Sequence, residues 1–279
     1  MTNDISLTDW IGNPIEVEDR ITVGQANFMN VTLDREPALN EGDILPNAWH
    51  WLYFHEAVRI SELGVEGHQK LGQFMPPVPL PRRMWAGGSL IFERPIVIGQ
   101  PAVKRSTIAN VVQKSGKSGE LYFVTVAHEV SQNGSICLRE NQTIVYREAA
   151  VTNTVSPTPP AAPKDGSFSA VIEPNPIMLF RYSALTFNGH RIHYDLDFCK
   201  SHEGYPNLVF HGPLTATLLL DLFAQQYPNE PIKTFEYRGV SPLFNPDPFK
   251  ISGKRKGMNG SAWATNPAGG LAMKAQITY

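Results

Sequence analysis

The chain has 279 residues, 42% hydrophobic and 18% charged, with a formal net charge of -2 at pH 7. Such a length builds one large domain or two of about 130 residues each; the hydrophobic share excludes wholesale disorder, and the charge excludes a general pull toward nucleic acid or anionic membranes. No window approaches about eighteen uninterrupted apolar residues, so no membrane-spanning helix is expected.

The chain begins MTNDISLTDWIGNPIEVEDR. This stretch is acidic and has no basic segment followed by an apolar one, so no signal peptide is visible. The two cysteines, Cys137 and Cys199, lie far apart and match no metal spacing. They are expected to be reduced and buried, in a cytoplasmic protein or, in a eukaryote, in the mitochondrial matrix. WHWLYF, residues 49 to 54, concentrates Trp49, Trp51, Tyr53 and Phe54, which suits either a core or a pocket wall. PVPLPRRMWAGG, residues 77 to 88, carries Arg82 and Arg83. Either arginine could meet a substrate carboxylate or a phosphate, with a solvated loop as the competing reading.

Segments rich in Val, Ile, Thr and aromatics then begin at Leu90, Ala102, Leu121 and Ser135, separated by the turn sequences GQP, QKSGKSGE and SQNGS. The stretch TNTVSPTPPAAPKDGSFSA follows, with four prolines between Pro157 and Pro163. Proline lacks the backbone donor and fixes φ, so this reads as an extended linker outside any helix or sheet interior. The expected division is a unit over 1–150, a linker over 151–170 and a second unit over 171–279.

In the second unit, GPLTATLLLDLFAQQYPNE (212–230) is apolar on nearly every side and must be buried on every side. Pro213 suits the helix start and Pro228 its end. TFEYRGVSPL, PFKISGKR, SAWAT and LAMKAQITY form a meander like that of the first unit. Pro95 and Pro101, and likewise Pro242 and Pro248, stand six apart, which supports an internal duplication. A buried helix beside such a meander predicts an α+β fold, a sheet wrapped around a helix.

The chemistry concentrates in SALTFNGHRIHYD, residues 183 to 195. LFRYSALTFN predicts about two helical turns, ended by Gly189 in a left-handed cap. Asn188 and His193 then fall close together. A neutral imidazole accepts a proton from water near pH 7, and an amide holds that water in line. In VFHGPL the first helical amides lack partners, and Gly212 leaves room for a carbonyl oxygen to reach them. His190, His193 and Asp195 offer three donors within six residues and no fourth, so no metal is expected; nothing indicates a cofactor.

RYSALTFNGHRIHYD together with EGYPNLVFHGPL resembles the MaoC-like (R)-specific enoyl-CoA hydratases. The closer resemblance is to the branch holding mitochondrial-type 3-hydroxyacyl-thioester dehydratases and mesaconyl-CoA or itaconyl-CoA hydratases. WHWLYF and PVPLPRRMWAGG resemble the first half of that branch, so the likeness covers most of the chain. The resemblance implies a double hot-dog whose single active site lies in the second unit, the first being non-catalytic. It aligns His193 with the catalytic histidine and Gly212 with the oxyanion helix start. Asn188 stands where the wider family has an acid, so it is read as orienting the water. Candidate substrate contacts are His190, Arg191, Tyr182, Arg82 and Arg83; loop orientation competes for Arg191 and Tyr182. The implied partner is an acyl-CoA or an acyl-carrier-protein thioester, and a monomer and a homodimer both fit. Thioester hydrolysis is the competing activity; it needs a carboxylate, for which Asp195 and Asp221 are the local candidates.

Overall fold

The computed structural model describes residues 6–116, 119–149 and 158–279. The extreme start, the middle of the QKSGKSGE turn and the first part of the proline-rich stretch lie outside the described residues.

In the first half the segments expected from Ala102, Leu121 and Ser135 are present as β3 (Pro101–Gly116), β4 (Gly119–Gln132) and β5 (Ser135–Arg147). By contrast, β2 (Arg82–Phe92) lies mostly before the segment expected from Leu90, and β1 (Pro14–Arg20) is a strand the sequence does not announce. The second half has β6 (Phe168–Ile172), β7 (Thr234–Gly239), β8 (Phe249–Lys256), β9 (Asn259–Thr265) and β10 (Leu271–Thr278). All ten join one antiparallel sheet in the order β1-β3-β4-β5-β2-β7-β10-β9-β8-β6. Read inward from each edge, the two halves have the same strand order, as duplication of one unit would give. They meet at β2 and β7, where Leu90 faces Phe235 and Ser89 faces Glu236.

Among the described residues, four α-helices accompany the sheet: α1 (Val23–Thr32), α2 (Pro176–Leu185), the single turn α3 (Leu196–Phe198) and α4 (Gly212–Gln226). The helix α4 is buried continuously from Leu214 to Asp221. The strands under it carry small residues: a methyl group on Gly253 or Gly260 would sit 2.5 Å from the Phe223 ring. Side chains there would hold the helix off the sheet. In the first half α1 is only ten residues long and rests on α2 and the turn Trp49–Leu52. The result is an α+β double hot-dog.

The stretch read as a linker through residue 170 does more than connect. Pro160 O accepts from the Leu271 amide, Ala162 N donates to Gly269 O, and β6 begins at Phe168. Its prolines confine it to the sheet edge, where unpaired backbone is tolerated. Cys137 and Cys199 are buried free thiols. Among the described residues, no helix is long and apolar enough to cross a membrane.

Candidate active site

The histidine loop is built by the end of α2. Asn175 caps the start of that helix by accepting from the Met178 amide at 2.9 Å. At its other end Thr186 Oγ1 donates to Tyr182 O at 2.8 Å. The left-handed residue there is Phe187 (φ 49), not Gly189 as the cap rule predicts. Gly189 is instead required for contact: a methyl group on it would fall 2.9 Å from Gly67 O, and one on Gly67 would fall 1.9 Å from Gly189 O. The close approach brings the loop of residues 64 to 68, from the first half, against the histidine loop, and Arg191 N donates to Glu66 O at 2.9 Å.

Four imidazoles converge there. His193 stacks on His211 with ring centroids 3.6 Å apart, His190 stands edge-on to His193 at 5.6 Å, and His68 lies 4.5 Å from His190. His193 Nδ1 lies 2.8 Å from Val209 O. A carbonyl only accepts, so Nδ1 carries the proton and Nε2 is left with a free lone pair. His211 is held from its other edge, by Ser183 Oγ at 2.9 Å from Nε2.

Burial dominates the electrostatics. It pulls His193 down to about 4 against the opposing effect of the Val209 carbonyl. Burial, then His193 and Arg83, takes His190 to about 3. His211 lies well below the usual range through burial and its neighbouring histidines; His68 does so through burial, Arg83 and the same neighbours. Burial thus favours the neutral form of all four at pH 7.

The start of α4 abuts this cluster. The first helical bond is Thr215 N to His211 O at 3.0 Å, so the Gly212 and Leu214 amides have no intrahelical partner. The space beside Gly212 is not open, as its missing side chain suggests. A methyl group there would lie 2.8 Å from Trp85 Cε3. Trp85 stacks on Tyr237 at 4.5 Å and meets Trp51 edge-on at 5.7 Å, making an aromatic wall contributed by both halves. Among the described residues, the hydroxyls of Tyr146 and Tyr237 and His211 Nδ1 are buried without hydrogen-bond partners.

The structure thus brings together His190, His193, the Gly212 helix start and Tyr182, whose ring meets His211 edge-on at 4.9 Å. It sends others elsewhere. Asn188 Oδ1 accepts from the His190 amide at 3.0 Å, so its oxygen serves the loop. Arg191 pairs with Asp195 at 2.7 Å and donates to Val65 O. Arg82 pairs with Glu203 at 2.7 Å. Both guanidinium groups cross-link loops instead of facing the imidazoles. Arg83 has no carboxylate partner among the described residues and acts electrostatically on His68 and His190. The first half, read as non-catalytic, supplies His68, Arg83 and Trp85 to the site. Sequence reasoning missed His68, Trp85 and Ser183: VEGHQK (65–70) has no helical or strand period, and Trp85 gains its meaning only from a strand pairing. The His211 ring, at the entry of α4, has Ser183 and His193 as its partners. Both candidate hydrolytic carboxylates are occupied, Asp221 by Arg35 at 2.8 Å and Asp195 as the cap of α3.

A neutral imidazole with one free lone pair beside unpaired helix amides, set between two hot-dog units, suits the processing of a thioester. The fold matches a solved MaoC-like dehydratase with a TM-score of 0.74 at 13% identity, covering 98% of this chain and 99% of the other. HtdX of Mycobacterium tuberculosis gives 0.67 at 18% identity, covering 95% and 99%. Mesaconyl-C(4)-CoA hydratase of Chloroflexus aurantiacus is 42% identical over 270 residues, 96% of each chain. The mitochondrial hydroxyacyl-thioester dehydratase type 2 of Schizosaccharomyces pombe is 32% identical, over 90% of each. The family model for hydroxyacyl-thioester dehydratase type 2 matches residues 48–245. The chain belongs to that family, and is a hydro-lyase that adds or removes water at an acyl thioester.

Proposed function

We propose that the chain hydrates mesaconyl-C4-CoA, an enoyl thioester whose β-carbon bears a free carboxylate. The observation that carries the chemistry is the His193 Nδ1 bond to Val209 O, which leaves Nε2 as the sole basic edge of that ring. Nε2 takes a proton from water as the water oxygen bonds to C3. The C2–C3 double-bond electrons move toward the thioester carbonyl, and the resulting enolate oxygen accepts from the Gly212 and Leu214 amides. The imidazolium then returns its proton to C2, so one water is added and His193 ends neutral. A buried imidazole with a lowered pKa is a weak base but, once protonated, a strong acid, which favours the second step. Asn188 orients the loop through the His190 amide and can still present its Nδ2 to water. The likeness to the Chloroflexus aurantiacus hydratase supports the acyl group and the coenzyme A carrier.

The test is the enoyl-thioester absorbance with mesaconyl-C4-CoA, run beside a thiol-release assay and His193→Ala. Loss of the band without free thiol, reduced about 10³-fold in the variant, is the expected outcome. Free thiol in its place would move the activity to hydrolysis, and undiminished hydration by the variant would move the base to another residue.

A further inference from the structure

Arg82 and Arg83 are neighbours on β2 and so project to opposite faces of the sheet. Arg82 meets Glu203, whereas Arg83 is half-buried with no carboxylate within ion-pair distance among the described residues. Arg83 lies directly across the ladder from Tyr146 on β5. The Tyr146 hydroxyl is buried without a hydrogen-bond partner among the described residues; burial pushes it up and keeps it a neutral phenol, with the nearby guanidinium opposing that only in part. The other groups the guanidinium acts on, His68 and His190, are imidazoles held neutral by burial. Glu66 also faces Tyr146, but it makes no ion pair with Arg83. A half-buried cation and a buried orphaned phenol stand side by side among neutral rings with no carboxylate paired to the cation, so an incoming anion could engage both.

Position along the strand says which anion. Trp85 is two residues from Arg83 on the same face and touches Gly212 at the oxyanion end. Two residues of strand span roughly 7 Å, comparable to the reach of a short dicarboxylic acyl group. An acyl chain with its thioester oxygen at the α4 start would carry a distal carboxylate toward Arg83. Nucleotide phosphates, by contrast, are strongly hydrated and suit the rim of the site better than its interior.

We propose that Arg83 and Tyr146 form the subsite for the free carboxylate of the acyl group, and that this pair sets the preference for carboxylated over plain enoyl thioesters. The inference rests on the hydratase reading above. It also has a chemical consequence: a carboxylate on C3 opposes the electron flow that water addition demands, and a guanidinium against it offsets that opposition.

The experiment compares kcat/KM for mesaconyl-C4-CoA with that for 3-methylcrotonyl-CoA, in which a methyl group replaces the carboxylate. The native chain, Arg83→Met, Arg83→Lys and Tyr146→Phe are each measured, with matching pantetheine thioesters that lack the nucleotide. The ratio is expected to favour the carboxylated substrate and to fall about 100-fold in Arg83→Met. It should fall less in Tyr146→Phe and be partly restored in Arg83→Lys. A ratio unchanged by Arg83→Met overturns the proposal. So does an equal fall on both substrates that disappears with the pantetheine thioesters, since that places Arg83 on the phosphates. If Arg83→Met fails to fold, the ratio in Tyr146→Phe decides alone, an unchanged value overturning the subsite. A native chain that hydrates neither substrate sinks the hydratase reading itself; one that hydrates both equally leaves that reading intact and removes only the subsite.

Discussion

The two halves share a strand order, yet their inner faces are filled in opposite ways. In the second half the strands present Gly253, Gly260, Ala262, Ala264, Ala272 and Ala275, and the long helix α4 occupies the volume they leave. In the first half the strands carry larger groups, among them Leu90, Leu138, Val130 and Tyr146, and a polar band crosses β3 to β5. Ser106 Oγ lies 2.8 Å from His128 Nδ1, and Glu140, directly across from His128, binds His50 and the Trp51 indole at 2.9 Å each. The turn Trp49–Leu52, not a helix, sets His50 and Trp51 against β5. Side-chain volume on the strands therefore decides which copy accepts a full helix. The helix brings unpaired amides to the site, and the helix-poor copy supplies the wall and the cation.

The sharpest way to probe this contrast is acid. His68, His190, His193 and His211 in the site and His128 in the first-half band, taken to about 4 chiefly by burial, bind fewer protons folded than unfolded. Their stabilising effect is complete above the unfolded value of about 6.5 and is lost as pH falls toward 4 and below. Each adds up to about 1.4 kcal/mol per pH unit in that window, so the unfolding free energy from urea titrations should fall by several kcal/mol between pH 6.5 and 4. Replacing His68 and His190 by Gln should flatten the curve; an unaltered slope would show that the site histidines are solvated.

Next in size is Glu140→Gln. Burial alone would raise this carboxyl, but the His50 bond and the nearby His50 and His128 charges bring it to about 2. Breaking a buried pair at one partner costs about 3–5 kcal/mol, seen at pH 7 as a lower denaturation midpoint. Unchanged stability would mean that the first-half band is ornament to the fold and not a support. In Gly212→Ala the methyl group must displace Trp85, and kcat/KM should fall roughly 10- to 100-fold, about 1.4–2.7 kcal/mol. Trp85→Ala in the same chain should recover part of that loss, and strict additivity would disprove the contact. Smallest is Ser183→Ala, which frees His211 Nε2. A loss of about 1 kcal/mol, appearing in kcat and not in KM, would mark a positioning residue that holds the ring stacked on His193.

Much of this was legible before any coordinates. The apolar run of α4 could only be a buried helix, and the turn sequences between Val- and Ile-rich segments placed seven of the ten strands, the segment begun at Leu90 meeting β2 only at its end. His193, His190 and Gly212 stood out because chemistry-bearing residues crowd into two short motifs. What stayed hidden depends on pairing distant segments. Arg82 and Arg83 are alike in sequence, and only the pleat separates a loop cross-link from a group facing the imidazoles. His68 joins the cluster because Gly67 and Gly189 allow two loops to touch backbone to backbone, a contact that no local period announces. Gly189 was read for its torsional freedom when its missing side chain was what mattered.

The β2–β7 ladder has one further consequence. If the same unit assembled as two identical separate chains, every substitution would appear in both copies at once, so a residue favouring catalysis in one site would alter the wall of the other. Joining the copies in a single chain, through one strand pair and one linker, abolishes that coupling of sequence by symmetry. Each half is then free to change alone. One helix could be shortened and its strands given bulk and charge while its twin kept the amides and the imidazoles, a division of labour closed to a symmetric pair.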